Sequence, residues 1–366
     1  MLVGAVVVPA QAQGAASGQG SGSANEFVQT NLVSDLGDQG AQIVDPNLKN
    51  PWGVAFGPTT PLWASDNNAA VATLYSIAPG GTSVTKVPRT VNIPGGRAST
   101  GDGPSPTGQV FNPTTGFQVT GAGGTGAALF IFDSESGQLS GWSPVADPFS
   151  PDVATAELKP GRTPTAVYKG LAIGTDSNGT FLYATNFHDG TVDVFNSQWQ
   201  SVTMPGGFSD PSIPAGYAPF GIRVINDLVY VTYAKQNADG HDDVAGPAHG
   251  FIDIYTLNGF KVERLASRGT LNSPWGMEIA PPSFGPFAGK LLVGNFGDGR
   301  INVFDPFTPH RFLGQLKDAH HRAISISGLW SLQVGTATTG GTNTVLFTAG
   351  INDEQDGLLG SINPAS

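Results

Sequence analysis

One short phrase recurs along the 366 residues, and its spacing constrains the fold more than any other feature. A Pro- or Ser-rich approach, an aromatic or long residue and then Gly lead into an apolar strand. It reads Asn50-Pro51-Trp52-Gly53, Pro106-Thr107-Gly108, Tyr168-Lys169-Gly170, Pro219-Phe220-Gly221 and Ser273-Pro274-Trp275-Gly276. A sixth copy, Gly328-Leu329-Trp330-Ser331, has Ser where the others have Gly. Positions 53, 108, 170, 221, 276 and 331 are separated by 55, 62, 51, 55 and 55 residues. Self-similarity at such a period marks a repeat architecture, in which each unit buries its apolar face only against its neighbours.

Each copy continues alike. Second strands are expected at 61–65, 128–132, 181–185, 228–233, 290–294 and 344–348, and third strands include 191–195, 250–255 and 300–304. In the third strands Val, Ile and Phe alternate with Asp or Asn, which predicts one more polar sheet face. No stretch carries a sustained helical period with caps, so almost no helix is expected. The 51 glycines and 28 prolines would suit a disordered chain, but aromatic and β-branched runs between them make them turn residues. The pattern predicts an all-β fold: a six-bladed β-propeller of four-stranded antiparallel blades. The sixth copy ends with a third strand at 358–362. Its missing outer strand is expected from Phe27–Val33, which precedes the first copy; this pairing would close the ring and protect two sheet edges. Residues 25–366 then form one domain.

Residues 1–24 read as a leader. Leu2 to Pro9 is apolar, Ala10-Gln11-Ala12 resembles a cleavage site, and a Gly/Ser/Ala-rich stretch follows. A basic segment before the apolar run is missing. The expected location is extracellular or periplasmic, with no membrane span, since the run is too short to cross a bilayer. With 17 basic and 28 acidic residues the net charge is −11, which argues against a nucleic-acid partner. There is no cysteine, hence no disulfide, thiolate metal site or cysteine nucleophile. Walker, dinucleotide-binding and nucleophile-elbow motifs are missing as well. A monomer is expected.

In such a ring the loops entering the inner strands and those joining the second and third strands open on one face. Trp52, Tyr168, Tyr217, Trp275 and Trp330 from the first set are candidate ligand contacts, or wedges between blades. The second set brings polar turns, among them Asp66-Asn67-Asn68, Asp133-Ser134-Glu135, Asn186-Phe187-His188-Asp189, Asn295-Phe296-Gly297-Asp298 and Asn352-Asp353-Glu354. Many of these residues are also ordinary turn formers. The fourth copy expands its turn to Lys235 through Gly250, with two His and three Asp, and long insertions on one face of a repeat often bind. Its spacing fits no standard metal motif.

Several longer phrases resemble a bacterial family of exported propellers with NHL-like repeats and no assigned activity. They include Asp45-Pro46-Asn47-Leu48, Tyr183-Ala184-Thr185-Asn186-Phe187, Ala215-Gly216-Tyr217-Ala218-Pro219-Phe220, Gly240-His241-Asp242-Asp243 and Leu292-Val293-Gly294-Asn295-Phe296-Gly297-Asp298-Gly299. Some members carry a carboxy-terminal sorting tail; this chain stops at Ser366 without one, and a freely soluble product is expected. Two functions stay open. One is a module binding a small molecule or a protein on the channel-mouth face. The other is a metal-dependent hydrolase or lyase of the propeller lactonase type. For the latter, Asp66, Asn186, Asp242 and Asn295 are the candidate oxygen ligands of Ca²⁺ or another divalent cation. His188 and His241 are its candidate acid/base groups, and Lys235 would balance a substrate carboxylate.

Overall fold

The computed structural model describes residues 26–96, 103–147, 153–155, 157–159, 165–307 and 309–365. The apolar run and leader read in residues 1–24 lie outside them. Six antiparallel sheets follow one another around a central channel. From the inside outwards, blade 1 is Pro51–Ala55, Leu62–Asp66, Val71–Ile77 and Val84–Asn92. Blades 3, 4 and 5 begin at Tyr168–Asp176, Tyr217–Ile225 and Pro274–Ile279 and repeat the order. Blade 2 begins at Pro106–Phe111; its first turn carries an extra hairpin, Gln118–Gly121 with Gly124–Ala127, in the longest interval between copies.

Blade 6 consists of Leu329–Val334, Val345–Gly350 and Asp356–Pro364, and its fourth strand is Phe27–Ser34. The pairing is antiparallel and runs from Phe27 opposite Pro364 to Ser34 opposite Leu358. The ring is therefore closed by the start of the chain. Two outer edges are covered further: Ile43–Val44 pairs in parallel with the closing strand, and Val153–Thr155 pairs in parallel with the outer strand of blade 1. Such cover removes open edges that would otherwise template aggregation.

Core residues collect in six clusters, one between each pair of adjacent blades, plus an aromatic cluster on the axis. A strand feeds two of them at once. Leu182 and Ala184 face the blade 2–3 core while Tyr183 faces the blade 3–4 core. This corrects the expectation of a more polar face on the third strands. Asp193, Asp253 and Asn302 are buried, because each blade is sandwiched between two others and neither face meets water.

The recurring Gly has a steric cause. All six inner strands are bulged at the phrase, which brings their backbones close to the neighbouring blade. A Cβ on Gly53 would lie 2.7 Å from the Thr107 carbonyl; on Gly108, Gly221 and Gly276 it would strike Leu171, Trp275 and Trp330 backbone atoms closer still. Hydroxyls tie the blades there: Thr185 donates to the Phe220 carbonyl at 2.6 Å, Thr348 to that of Trp52 at 2.6 Å, and Thr107 to that of Tyr168 at 2.9 Å. Among the described residues helix is confined to single turns, and none is long and apolar enough to cross a membrane.

Candidate functional site

The loops entering the inner strands and those joining second to third strands meet on one face, as the pairings of Pro51 with Asp66, Tyr168 with Asn186 and Pro274 with Asn295 require. The aromatic cluster closes the channel there. Trp52 stacks on Trp330 at 3.5 Å, Phe296 stacks on the same ring at 4.0 Å, and Trp275 meets Trp330 edge-on at 5.8 Å. Trp275 donates to the Lys169 carbonyl at 2.8 Å and Trp330 to the Asn50 side-chain oxygen at 2.9 Å. Three phrases thus build a lid.

Beside the lid lies a buried cation. The Lys169 ammonium sits 5.2 Å from the Trp52 ring centre, donates to Glu135 and reaches Asp242 Oδ1 at 3.2 Å. Burial pulls its pKa down, but the two carboxylates outweigh that and leave it above the ordinary value. Asn67 donates to the other Glu135 oxygen at 3.1 Å. Asp242 belongs to the blade 4 insertion, which lies across the mouth. Gln236 anchors it to the Phe187 carbonyl at 2.6 Å, and its Gly246 amide donates to Asn272 at 2.6 Å. Asn237 accepts from the His241 and Asp242 amides at 3.0 and 3.2 Å and fixes the turn between these anchors. His241 Nδ1 lies 2.8 Å from Asp242 Oδ1; that bond raises the imidazole pKa and lowers the carboxyl below the usual range.

A pocket of about 420 Å³ opens next to the lid between blades 5 and 6, lined in part by Phe296, Asp298, Asp353, Glu354 and Ala245. The turn carrying Glu354 is unusual. Asn352, Asp353 and Glu354 have φ of 54°, 51° and 65°, three successive non-glycine residues in the left-handed region, where strain needs surrounding structure to hold it. Asn50 donates to Glu354 Oε2 at 3.0 Å and Asn68 to its carbonyl at 2.6 Å. Burial pushes the Glu354 carboxyl up to about 7, against the Asn50 bond and the Lys169 charge.

The residues singled out in the sequence are distributed unevenly over this face. Trp52, Trp275 and Trp330 come together in the lid, with Trp52 and Trp330 sealed from solvent. Tyr168 is fully buried in the blade 2–3 core, its hydroxyl donating to Asp193 at 3.1 Å. Tyr217 packs edge-on against Phe251 at 4.9 Å, away from the lid cluster. The proposed oxygen ligands occupy separate neighbourhoods. Asp66 is buried and accepts from Thr73 at 2.7 Å; burial raises its carboxyl well above the ordinary range. Asn186 donates to Asp189 and Asp193, and Asn295 to the Thr270 carbonyl and Asp298. Only Asp242 reaches the Lys169 cluster. His188 is exposed and offers its carbonyl to Gln236 at 3.3 Å. Lys235 takes the Val244 amide on its own carbonyl at 2.7 Å, closing the insertion. The sequence put Lys169, Glu135 and Glu354 on this face and Asn50 in the recurring phrase, but gave none of the four a role. Their signal was positional: each lies in the recurring phrase or a polar turn.

Glu135, His241 and Asp242 place one ligand atom each within 4.8 Å of one another. The group could hold a divalent cation, which would compete there with the Lys169 ammonium that already lies on two of the three side chains.

Fold and mouth together define a six-bladed propeller with a capped channel, an internal ammonium and an acid-lined pocket. The chain belongs to the family of two uncharacterised proteins of Acanthamoeba polyphaga mimivirus. One is 33% identical over 337 residues, covering 90% of this chain and 78% of the relative. The other is 31% identical over 323 residues, covering 87% and 81%. The expected membership of a bacterial family of exported propellers is corrected by these relatives, which a giant virus encodes. No family model matches the chain. Among solved structures, an α-L-arabinofuranosidase from Fusarium graminearum covers 92% of this chain and 98% of its own, with TM-score 0.53 and 10% identity. An α-L-arabinanase from Penicillium chrysogenum covers the same shares, with TM-score 0.51 and 11% identity. At such identities the likeness concerns the fold alone.

Proposed function

We propose that this protein is a small-molecule-binding propeller whose ligand, an organic cation, sits in the pocket beside the lid. The observation that carries the reading is the lining: one aromatic side chain, Phe296, with three carboxyl groups, Asp298, Asp353 and Glu354, and no Lys or Arg. A half-desolvated concavity with an aromatic wall and excess acid attracts a soft cation through the ring quadrupole and the carboxylates. The neighbouring Lys169–Trp52 contact is the same interaction made within the chain. Glu354 adds a pH dependence. A cation favours its charged form, so affinity strengthens as pH rises through about 7, and binding below that pH releases a proton.

Calorimetry with choline, against its neutral carbon analogue, tests the reading. Choline is expected to bind at least about tenfold more tightly than the analogue, and Phe296→Ala or Glu354→Gln to weaken it by a similar factor. Equal affinity for the two probes overturns it.

A further inference from the structure

The opposite end of the channel has different chemistry. Past the glycine layer the bore narrows to a void of about 50 Å³, and beyond it the ends of the inner strands surround an open pocket of about 280 Å³. Most of its lining residues are apolar by type, including Phe111, Leu171 and Ile222, with backbone polar groups showing between them, and its one charged lining residue is Arg223. Arg223 donates from Nη2 to Glu278 Oε2 at 2.5 Å. Glu278 is held independently, accepting the Val334 amide at 2.9 Å and the Ile279 amide at 2.9 Å. The guanidinium commits one of its five N–H donors to that pair, and the Arg223 side chain, which lines the cavity, is 29% exposed. Gln109 also lines this wall at 6% exposure. Its Oε1 accepts from Ser65 at 3.0 Å, which leaves the buried Nε2 with no acceptor among the described residues.

We propose that this cavity is a second ligand site, for a small monocarboxylate with an apolar body. The carboxylate would take the free donors of Arg223, whose planar fork matches its geometry. The apolar body would rest on Leu171 and Ile222. The volume sits at the small end of ligand pockets, which limits the occupant to something near benzoate in size. The site lies across the glycine layer from the acid-lined mouth, so an anion reaches it without facing those carboxylates.

The test is calorimetric titration of the full chain with benzoate and with benzyl alcohol. Benzoate is expected to bind at least about tenfold more tightly than the alcohol, since the charged hydrogen bonds are lost with the carboxylate. Arg223→Met should remove that preference. Val224→Phe fills the cavity from its wall while keeping the Arg223–Glu278 pair, and should abolish binding of both; it decides the matter if Arg223→Met does not fold. Absence of benzoate binding at millimolar concentration, equal affinity for the alcohol, or unchanged binding in the Val224 variant each overturns the proposal.

Discussion

At the residue scale, two side chains at the mouth are held in costly states. The Glu354 carboxyl is raised from 4.5 to about 7 in the fold by burial. Between those values the folded chain binds the extra proton and the unfolded chain does not, so stability falls as pH rises across the window. Glu354→Gln should flatten that fall: denaturant unfolding at about pH 5 and about pH 8 should differ less in the variant than in the parent. Lys169 is the second case. Replacing it by Met leaves Glu135 with no ammonium and should cost about 3 kcal/mol or more, read as a lower unfolding midpoint. Lys169→Ala also frees Glu135, His241 and Asp242 for a metal. Zn²⁺ binding by the variant, tighter than by the parent, is the expected result; equal affinity would mean that Lys169 does not guard the site.

The blade 4 insertion and the inner strands carry the predictions at the element scale. The insertion is anchored through Gln236 and Gly246, on either side of His241 and Asp242. His241→Ala with Asp242→Ala should therefore keep the loop in place and cost less than Lys169→Met, because Glu135 still pairs with the buried ammonium. A collapse of the melting temperature would make the loop a clasp for the Lys169 cluster. Gly108→Ala should cost about 2 kcal/mol or more, because its Cβ would enter the Leu171 backbone. Gly37, with open space around it, is the control and should tolerate Ala. The repeat phrase announced these strands in the sequence, but the reason for its glycine lies in the adjacent blade, about one repeat away along the chain.

For the whole molecule, closure is the decisive contact. Phe27–Ser34 supplies the outer strand of blade 6, and Phe27 itself packs on Phe284 of blade 5 at 4.7 Å. Removing residues 1–34 opens an edge and a core together, and should produce aggregation or a markedly lower melting temperature. A truncated chain that melts like the parent would leave the ring held by the inner strands alone.

The number of blades, their order, the closing strand and the face on which the loops gather were all legible in the sequence. Each follows from periodicity and turn residues, which are local. Partnering around the axis was not. Trp52, Trp275 and Trp330 were read as a set, yet whether they face a ligand or one another depends on how far six loops converge. Asp66, Asn186 and Asn295 looked alike in the sequence because they occupy equivalent places in three blades. The ring holds equivalent places apart, and each residue bonds locally. The tertiary structure decided that Lys169, from one phrase, meets Glu135 from a second blade and Asp242 from a third. Long-range electrostatics of this kind leaves no period in a sequence, because its partners are set by the closing of the ring and not by neighbours along the chain.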